Sequence, residues 1–242
     1  MNKKIITPII MGIMLLGMLL WMVPPSIFAP SPTKEPTTTT SPVLSPTTTE
    51  EVPSAENYKK LIHPLVMKNT ILMAIAFKGF RDEEYLQPKK VLEQAGFSVD
   101  TTSTKMGMAE GTYGTTVVID TDITKVNPND YLALVFSGGE GMGKELDNPL
   151  FQKLARNFVQ AGKPVAAICV APALLAKAGL LQGKKATVWS NSLYKTTIKI
   201  LKDNGAIYED QLVVRDGNII TANGPEAAKQ FGEAIVNLLN EK

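Results

Sequence analysis

The sequence holds 242 residues, 44% hydrophobic and 20% charged, which fits a folded protein and excludes global disorder. Its 25 basic and 23 acidic side chains leave a formal net charge of +2, too small a basic excess for a nucleic-acid binder. A single Cys excludes an intrachain disulfide and a Cys-based zinc site, and a single His excludes chemistry that needs two imidazoles in one subunit.

Asn2-Lys3-Lys4 opens an apolar run from Ile5 to Val23, which Pro24-Pro25 stops. At about 1.5 Å per residue such a run approaches bilayer thickness. Residues 1–25 are therefore expected to be a membrane anchor or a signal segment. Lysines before the run put the following chain outside the cytoplasm: at the cell membrane if the segment stays, secreted if it is cleaved. Residues 26–69 read as a Thr/Ser/Pro-rich linker (Thr37 to Pro42, Ser45 to Thr49), too poor in apolar groups to offset the entropy of ordering it.

Residues 70–242 read as one α/β domain. Ile71 to Phe77 is an apolar run of the kind buried on both faces of a sheet. Helical spacing follows from about Glu84 to Ala95, with Gly96 as the stop, and Phe97 to Val99 is the next strand. Thr115 to Ile119 suggests a hairpin, and Tyr131 to Phe136 is a second buried strand. A helix is expected from Asp147, as N-cap, to Ala161, then a strand over Pro164–Ile168 and a helix over Ala171–Ala178. The remaining elements are a strand over Ala186–Val188, a helix from about Leu193 to Asn204, strands at Leu212–Val214 and Ile219–Ile220 flanking the turn Asp216-Gly217, and a closing helix from Glu226 to Leu239. Alternating strands and helices imply a mainly parallel sheet covered on both faces, with ligands beyond the carboxyl ends of its strands. Three turns fall there: after Phe77, after Phe136 and after Ile168.

Cys169 stands on the third turn, between a strand and a helix that opens at Ala171-Pro172. A side chain there sits on a sharp elbow beside unpaired helix N–H groups, and both favour a thiolate over the free thiol value of about 8.5. A buried, inert small hydrophobe is the alternative for any lone Cys. The second turn, Ser137-Gly138-Gly139-Glu140-Gly141-Met142-Gly143, lets backbone approach a ligand and aim N–H groups at an anion. It imitates a phosphate-binding loop, but Glu145 stands where a hydroxyl should hold Mg²⁺, which argues against nucleotide binding. The first turn carries Asp82, Glu83 and Glu84. An acid from this group facing Cys169 would share one proton with it, since two adjacent anions repel.

These segments together resemble the PfpI family, the superfamily of intracellular protease I and the parkinsonism-associated deglycase, which has a class I glutamine amidotransferase-like fold. The resemblance runs from about Ile71 to Leu239. It is carried by Asp82-Glu83-Glu84-Tyr85-Leu86-Gln87-Pro88, Phe136-Ser137-Gly138-Gly139-Glu140-Gly141, Pro164 to Pro172 around Cys169, Gly183 to Val188, and Val213 to Thr221. It implies a flavodoxin-like three-layer sandwich, here preceded by a transmembrane or signal helix and the disordered linker. It also implies Cys169 as nucleophile, Glu84 as its assisting acid, backbone N–H groups of Gly139 and Val170 for an oxyanion, and Gly138 and Trp189 lining the pocket.

One departure matters. The proteolytic branch is similar up to the Cys and then has His, whereas this chain has Val170; its one His63 lies next to the linker. A Cys–His mechanism lacks its imidazole. Three readings stay open: an enzyme of the hydrolase or lyase type acting on reactive carbonyls or glycated protein groups, a cysteine peptidase, or a non-enzymatic thiol sensor or stress chaperone. The expected partners are a small carbonyl compound or a protein substrate, and further copies of the chain, with the membrane added if the N-terminal helix is uncleaved. No nucleic acid, metal or cofactor is expected.

Overall fold

Strand β1 (Thr70–Ala74) is buried at every position. Its side chains alternate between two cores: Ile71 and Met73 on one face of the sheet, Leu72 and Ala74 on the other. Only a sheet covered on both sides accepts such a strand. The computed structural model describes residues 69–241 except 192 and 194, and the elements below lie within that range.

After β1 the chain forms β2 (Lys78–Phe80), helix α1 (Asp82–Gln94), β3 (Ser98–Ser103), β4 (Met108–Gly111), β5 (Thr116–Val118) and β6 (Thr121–Asp122). Then come β7 (Leu134–Phe136), α2 (Glu140–Lys144), α3 (Pro149–Gln160), β8 (Val165–Ile168), α4 (Ala171–Lys177), β9 (Lys185–Ala186) and α5 (Thr196–Asp203). The last elements are β10 (Ile207–Tyr208), β11 (Val213–Asp216), β12 (Ile219–Ala222) and α6 (Ala228–Asn240). The main sheet has the order β11-β12-β8-β7-β1-β3-β6, parallel except for the β11–β12 hairpin. Helices α1 and α6 cover one face, where Leu92, Phe231 and Ile235 bury. Helices α3 and α4 cover the other with Phe151, Leu154, Phe158 and Leu174. The expected α/β sandwich with a mainly parallel sheet is therefore the observed core.

The chain leaves β1 for β3 on one side, while β7 and β8 lie on the other. That reversal opens a crevice at the carboxyl ends of β1, β7 and β8. All three candidate turns open into it.

Several expectations are corrected. Strand β1 stops at Ala74 rather than Phe77, because the chain turns to start β2, the edge of a separate three-stranded sheet with β4 and β5. Asp147 is not the N-cap of α3: Asn148 Oδ1 accepts from Leu150 N at 2.9 Å with Pro149 at the first turn, while Asp147 pairs with Lys177. The strand over 186–188 is reduced to β9, which pairs with β10 outside the main sheet.

The transmembrane or signal helix is corrected as well. Among the described residues no helix is long and apolar enough to cross a membrane. The longest, α1 and α6, have 13 residues each and carry charged side chains; they span roughly 20 Å against about 30 Å of hydrocarbon. The expected anchor at 1–25 and linker up to residue 68 lie outside the described residues. Placement at the membrane or in the secreted space rested on that helix and is withdrawn.

Candidate active site

Cys169 has φ +65°, the one positive φ among described residues other than glycine. A non-glycine residue held there costs on the order of 1–3 kcal/mol, so surrounding bonds must over-determine it. They do. Cys169 N donates to Ala222 O at 2.9 Å, and Cys169 O accepts from Trp189 N at 2.8 Å. The elbow thus turns its side chain out of β8 toward the crevice. The residue is only 7% exposed yet lines a cavity of about 340 Å³ with Arg81, Glu84, Tyr113, Gly139, Val170 and Trp189.

Glu84 reaches this cavity from the first turn of α1 and is fully buried. Its Oε2 accepts from Gly138 N at 3.2 Å. Its Oε1 meets no nitrogen or oxygen donor among the described residues. The Cys169 thiol lines the same cavity beside this carboxyl and favours its charged form. Gly138 is required between them: a Cβ there would lie 2.6 Å from both Cys169 Cβ and Glu84 Oε2. Gly139 (φ +102°) has no more room, since a Cβ would come within 2.5 Å of Arg81 N. The backbone N–H groups of Gly139 and Val170 lie beside the Cys169 sulfur and favour its thiolate.

Burial pushes the Glu84 carboxyl up to about 7, against the pull of the Cys169 hydrogen bond and of the Arg81 charge. The Cys169 thiol is also pushed up, first by burial and then by the charge on Glu84, while the Gly139 and Val170 N–H groups pull it down. This corrects the expectation of a thiol that ionises freely well below 8.5. Two acids in contact do not both ionise near neutrality, so the pair keeps one proton between them.

Of the residues singled out in the sequence, Cys169, Glu84, Gly139, Val170 and Trp189 line one cavity, and Gly138 supports it from behind. His63 lies outside the described residues. Four wall residues were missed: Arg81, Thr112, Tyr113 and Pro225. Tyr113 comes from the β4–β5 turn, which Asp82 draws in by accepting from Tyr113 N at 2.8 Å and Thr115 N at 2.9 Å. Arg81 stands over the Tyr113 ring at 4.6 Å and pairs with Glu83 at 2.8 Å. The buried Asp82 was a usable signal for this turn. No pattern in the sequence links the two segments, 31 residues apart. Among the described residues no group of three or more His, Cys, Asp or Glu side chains could hold a metal.

The model of the DJ-1/PfpI family matches residues 69–238, which takes in every element of the site. The chain belongs to the DJ-1/PfpI family. Its similarity to Uncharacterized protein MJ0967 of Methanocaldococcus jannaschii is 44% identity over 177 residues, covering 72% of this chain and 85% of the relative. Deglycase PH1704 of Pyrococcus horikoshii is 32% identical over 164 residues, covering 66% of this chain and 93% of the relative. Among solved structures, a ThiJ/PfpI domain protein from Brachyspira murdochii superposes with a TM-score of 0.69 at 34% identity, covering 72% of this chain and 98% of that one.

Proposed function

We propose that this DJ-1/PfpI protein is a cysteine-dependent enzyme acting on reactive carbonyls or glycated protein groups, in the manner of a deglycase or glyoxalase. The observation that carries this reading is the buried pair of Glu84 and Cys169, with two backbone N–H groups converging on the sulfur. The deglycase name of a relative covered over 93% of its length supports it. Cys169 and Glu84 are the proposed catalytic residues.

The chemistry balances with these groups alone. As sulfur bonds to an aldehyde carbon, the thiol proton passes to Glu84 and the carbonyl electron pair moves to oxygen. The Gly139 and Val170 N–H groups stabilise that oxyanion. Glu84 returns the proton to oxygen, giving a hemithioacetal. For a 2-oxoaldehyde, the Glu84 carboxylate then removes the hydrogen from the former aldehyde carbon and returns it to the neighbouring carbon, while the hydroxyl proton on the former aldehyde carbon passes to the ketone oxygen. The aldehyde carbon reaches thioester level while the ketone becomes an alcohol, so no outside oxidant is consumed. Water cleaves the C–S bond, releasing a 2-hydroxy acid and the thiol. With a glycated amine or thiol, the Cys169 sulfur bonds to the hemiaminal or hemithioacetal carbon as the C–N or C–S bond to the carrier breaks, and the proton that Glu84 took from the Cys169 thiol goes to the departing carrier.

The test is consumption of methylglyoxal and of a casein substrate by the full chain, by Cys169→Ala and by Glu84→Gln. General acid–base assistance is worth about 10²–10⁴-fold, so both variants should lose at least about 100-fold in methylglyoxal turnover. Casein cleavage that needs Cys169, without methylglyoxal turnover, would replace this reading with a peptidase. Neither activity, with a readily oxidised Cys169, would replace it with a thiol sensor.

A further inference from the structure

A second cavity, of about 290 Å³, adjoins the first and shares two walls with it, Trp189 and Pro225. Its remaining lining is Ser190, Asn223, Gly224 and Glu226, with no basic side chain. The partition is built tightly. A Cβ on Gly224 would lie 3.0 Å from Trp189 Cδ1, so a glycine is needed for the indole to occupy its place. The same Trp189 is tied by its backbone N to the carbonyl of Cys169. The second cavity is therefore an annex of the site, reached past the indole from the nucleophile.

The charges in it are unusual for this domain. Glu83, Glu93, Glu209, Glu233 and Glu241 each hold an Arg or Lys. Glu84 and Glu145 accept hydrogen bonds from Gly138 and Asn148. Among the described glutamates, only Glu110, Glu140 and Glu226 have neither an ion pair nor a hydrogen bond. Two of these three, Glu140 and Glu226, line the joined cavities on the two sides of Trp189, and all three are exposed. On the nucleophile's side, the Arg81 guanidinium is already occupied by Glu83 and Tyr113. An unpaired carboxylate beside an aromatic wall, in a cavity without a competing cation, suits an ammonium or guanidinium group. Glu226 also opens the 3-10 turn ahead of α6, where an acid complements the helix dipole. That role alone predicts no preference among substrates.

We propose that the annex is a carrier subsite in which Glu226 binds a cationic group next to the modified residue, so that the enzyme favours reactive carbonyls attached to basic peptides. This rests on the carbonyl reading above and adds the charge of the carrier to it. A charge pair at about 4 Å in water is worth about 1 kcal/mol, close to a five-fold preference. Two carriers with identical reacting chemistry separate the cases: the methylglyoxal hemithioacetals of N-acetyl-Cys-Lys-amide and of N-acetyl-Cys-Gly-amide.

For the full chain, kcat/KM on the Lys carrier should exceed that on the Gly carrier about five-fold at low salt. The ratio should fall toward one in Glu226→Gln, invert in Glu226→Lys, and shrink as salt is added. Calorimetric titration of the two unmodified dipeptides gives a second reading that needs no turnover, with the Lys dipeptide binding about five-fold more tightly and Glu226→Gln abolishing the difference. Equal binding of the two dipeptides, or a ratio that survives Glu226→Gln, overturns the subsite. Loss of methylglyoxal turnover as such, with the binding preference intact, overturns the carbonyl reading and leaves the subsite standing.

Discussion

Replacing Glu84 with Gln should make the protein more stable at neutral and alkaline pH while it removes activity. Gln keeps the shape of the side chain, and its carbonyl oxygen can accept the Gly138 N–H that Glu84 Oε2 now accepts. What it removes is a carboxyl that burial holds at about 7 against an ordinary value of 4.5. A folded value above the unfolded one means the folded state binds the proton more tightly. Its contribution to stability is complete below 4.5 and is lost as pH rises through about 7. At 1.36 kcal/mol per decade, the interval between those two values amounts to about 3 kcal/mol. The assay is urea unfolding of both proteins, followed by near-ultraviolet circular dichroism across that interval and beyond. The Gln variant should gain on the wild type by about 1.4 kcal/mol per pH unit within the interval and by a constant amount above it. Parallel stability profiles would refute the reasoning, because they would mean that Glu84 titrates alike in the folded and unfolded chain.

Alkylation of Cys169 by iodoacetamide should rise through about pH 7 in the wild type, because loss of the first proton from the pair is what admits a thiolate. In Glu84→Gln that transition should disappear and reactivity should rise only at higher pH; an unchanged profile would show that the two groups do not share a proton. Gly138→Ala should lower kcat by about 100-fold with the far-ultraviolet spectrum preserved, since a Cβ within 2.6 Å of both catalytic side chains forces them apart. Asp82→Ala should cost about 1–3 kcal/mol in urea unfolding by leaving the Tyr113 and Thr115 N–H groups unpaired. It should also raise KM, because Thr112 and Tyr113 line the cavity. Phe151→Ala, on the buried face of α3 and packed edge-on against Phe136, should cost about 3–5 kcal/mol in urea unfolding.

The core was legible because β1, β7 and β8 are buried on both faces, and such strands appear in sequence as unbroken apolar runs. The elbow at Cys169 was legible because a Cys between an apolar run and a helix start has little choice of geometry. Shorter-range competition was not legible. Asp147 and Asn148 both suit an N-cap, and only the nearby Lys177 decides which one is taken for an ion pair. Helix α2 hides in a glycine-rich stretch, where propensity argues against any helix; Gly141 is there because a Cβ would strike Lys78 O and Ala76. The acid facing Cys169 could be narrowed to three neighbours by position, and family resemblance singled out Glu84. Their contacts distinguish them in the structure: Glu84 lines the cavity with Cys169, Asp82 is buried but turned to the β4–β5 hairpin, and Glu83 is engaged by Arg81. The raised thiol was not foreseen, because position on a turn says nothing of how much water reaches the sulfur.

Trp189 enters the cavity just beyond β9, which joins β10 in a ribbon sharing no backbone ladder with the main sheet. Its link to the elbow is a main-chain bond, the kind every residue but proline can make. Holding the sulfur in place and choosing which molecules reach it are thus assigned to different parts of residue 189, one peptide and one indole. Descendants of this chain can exchange the indole and so change diet, while the machinery that performs the reaction passes on unaltered.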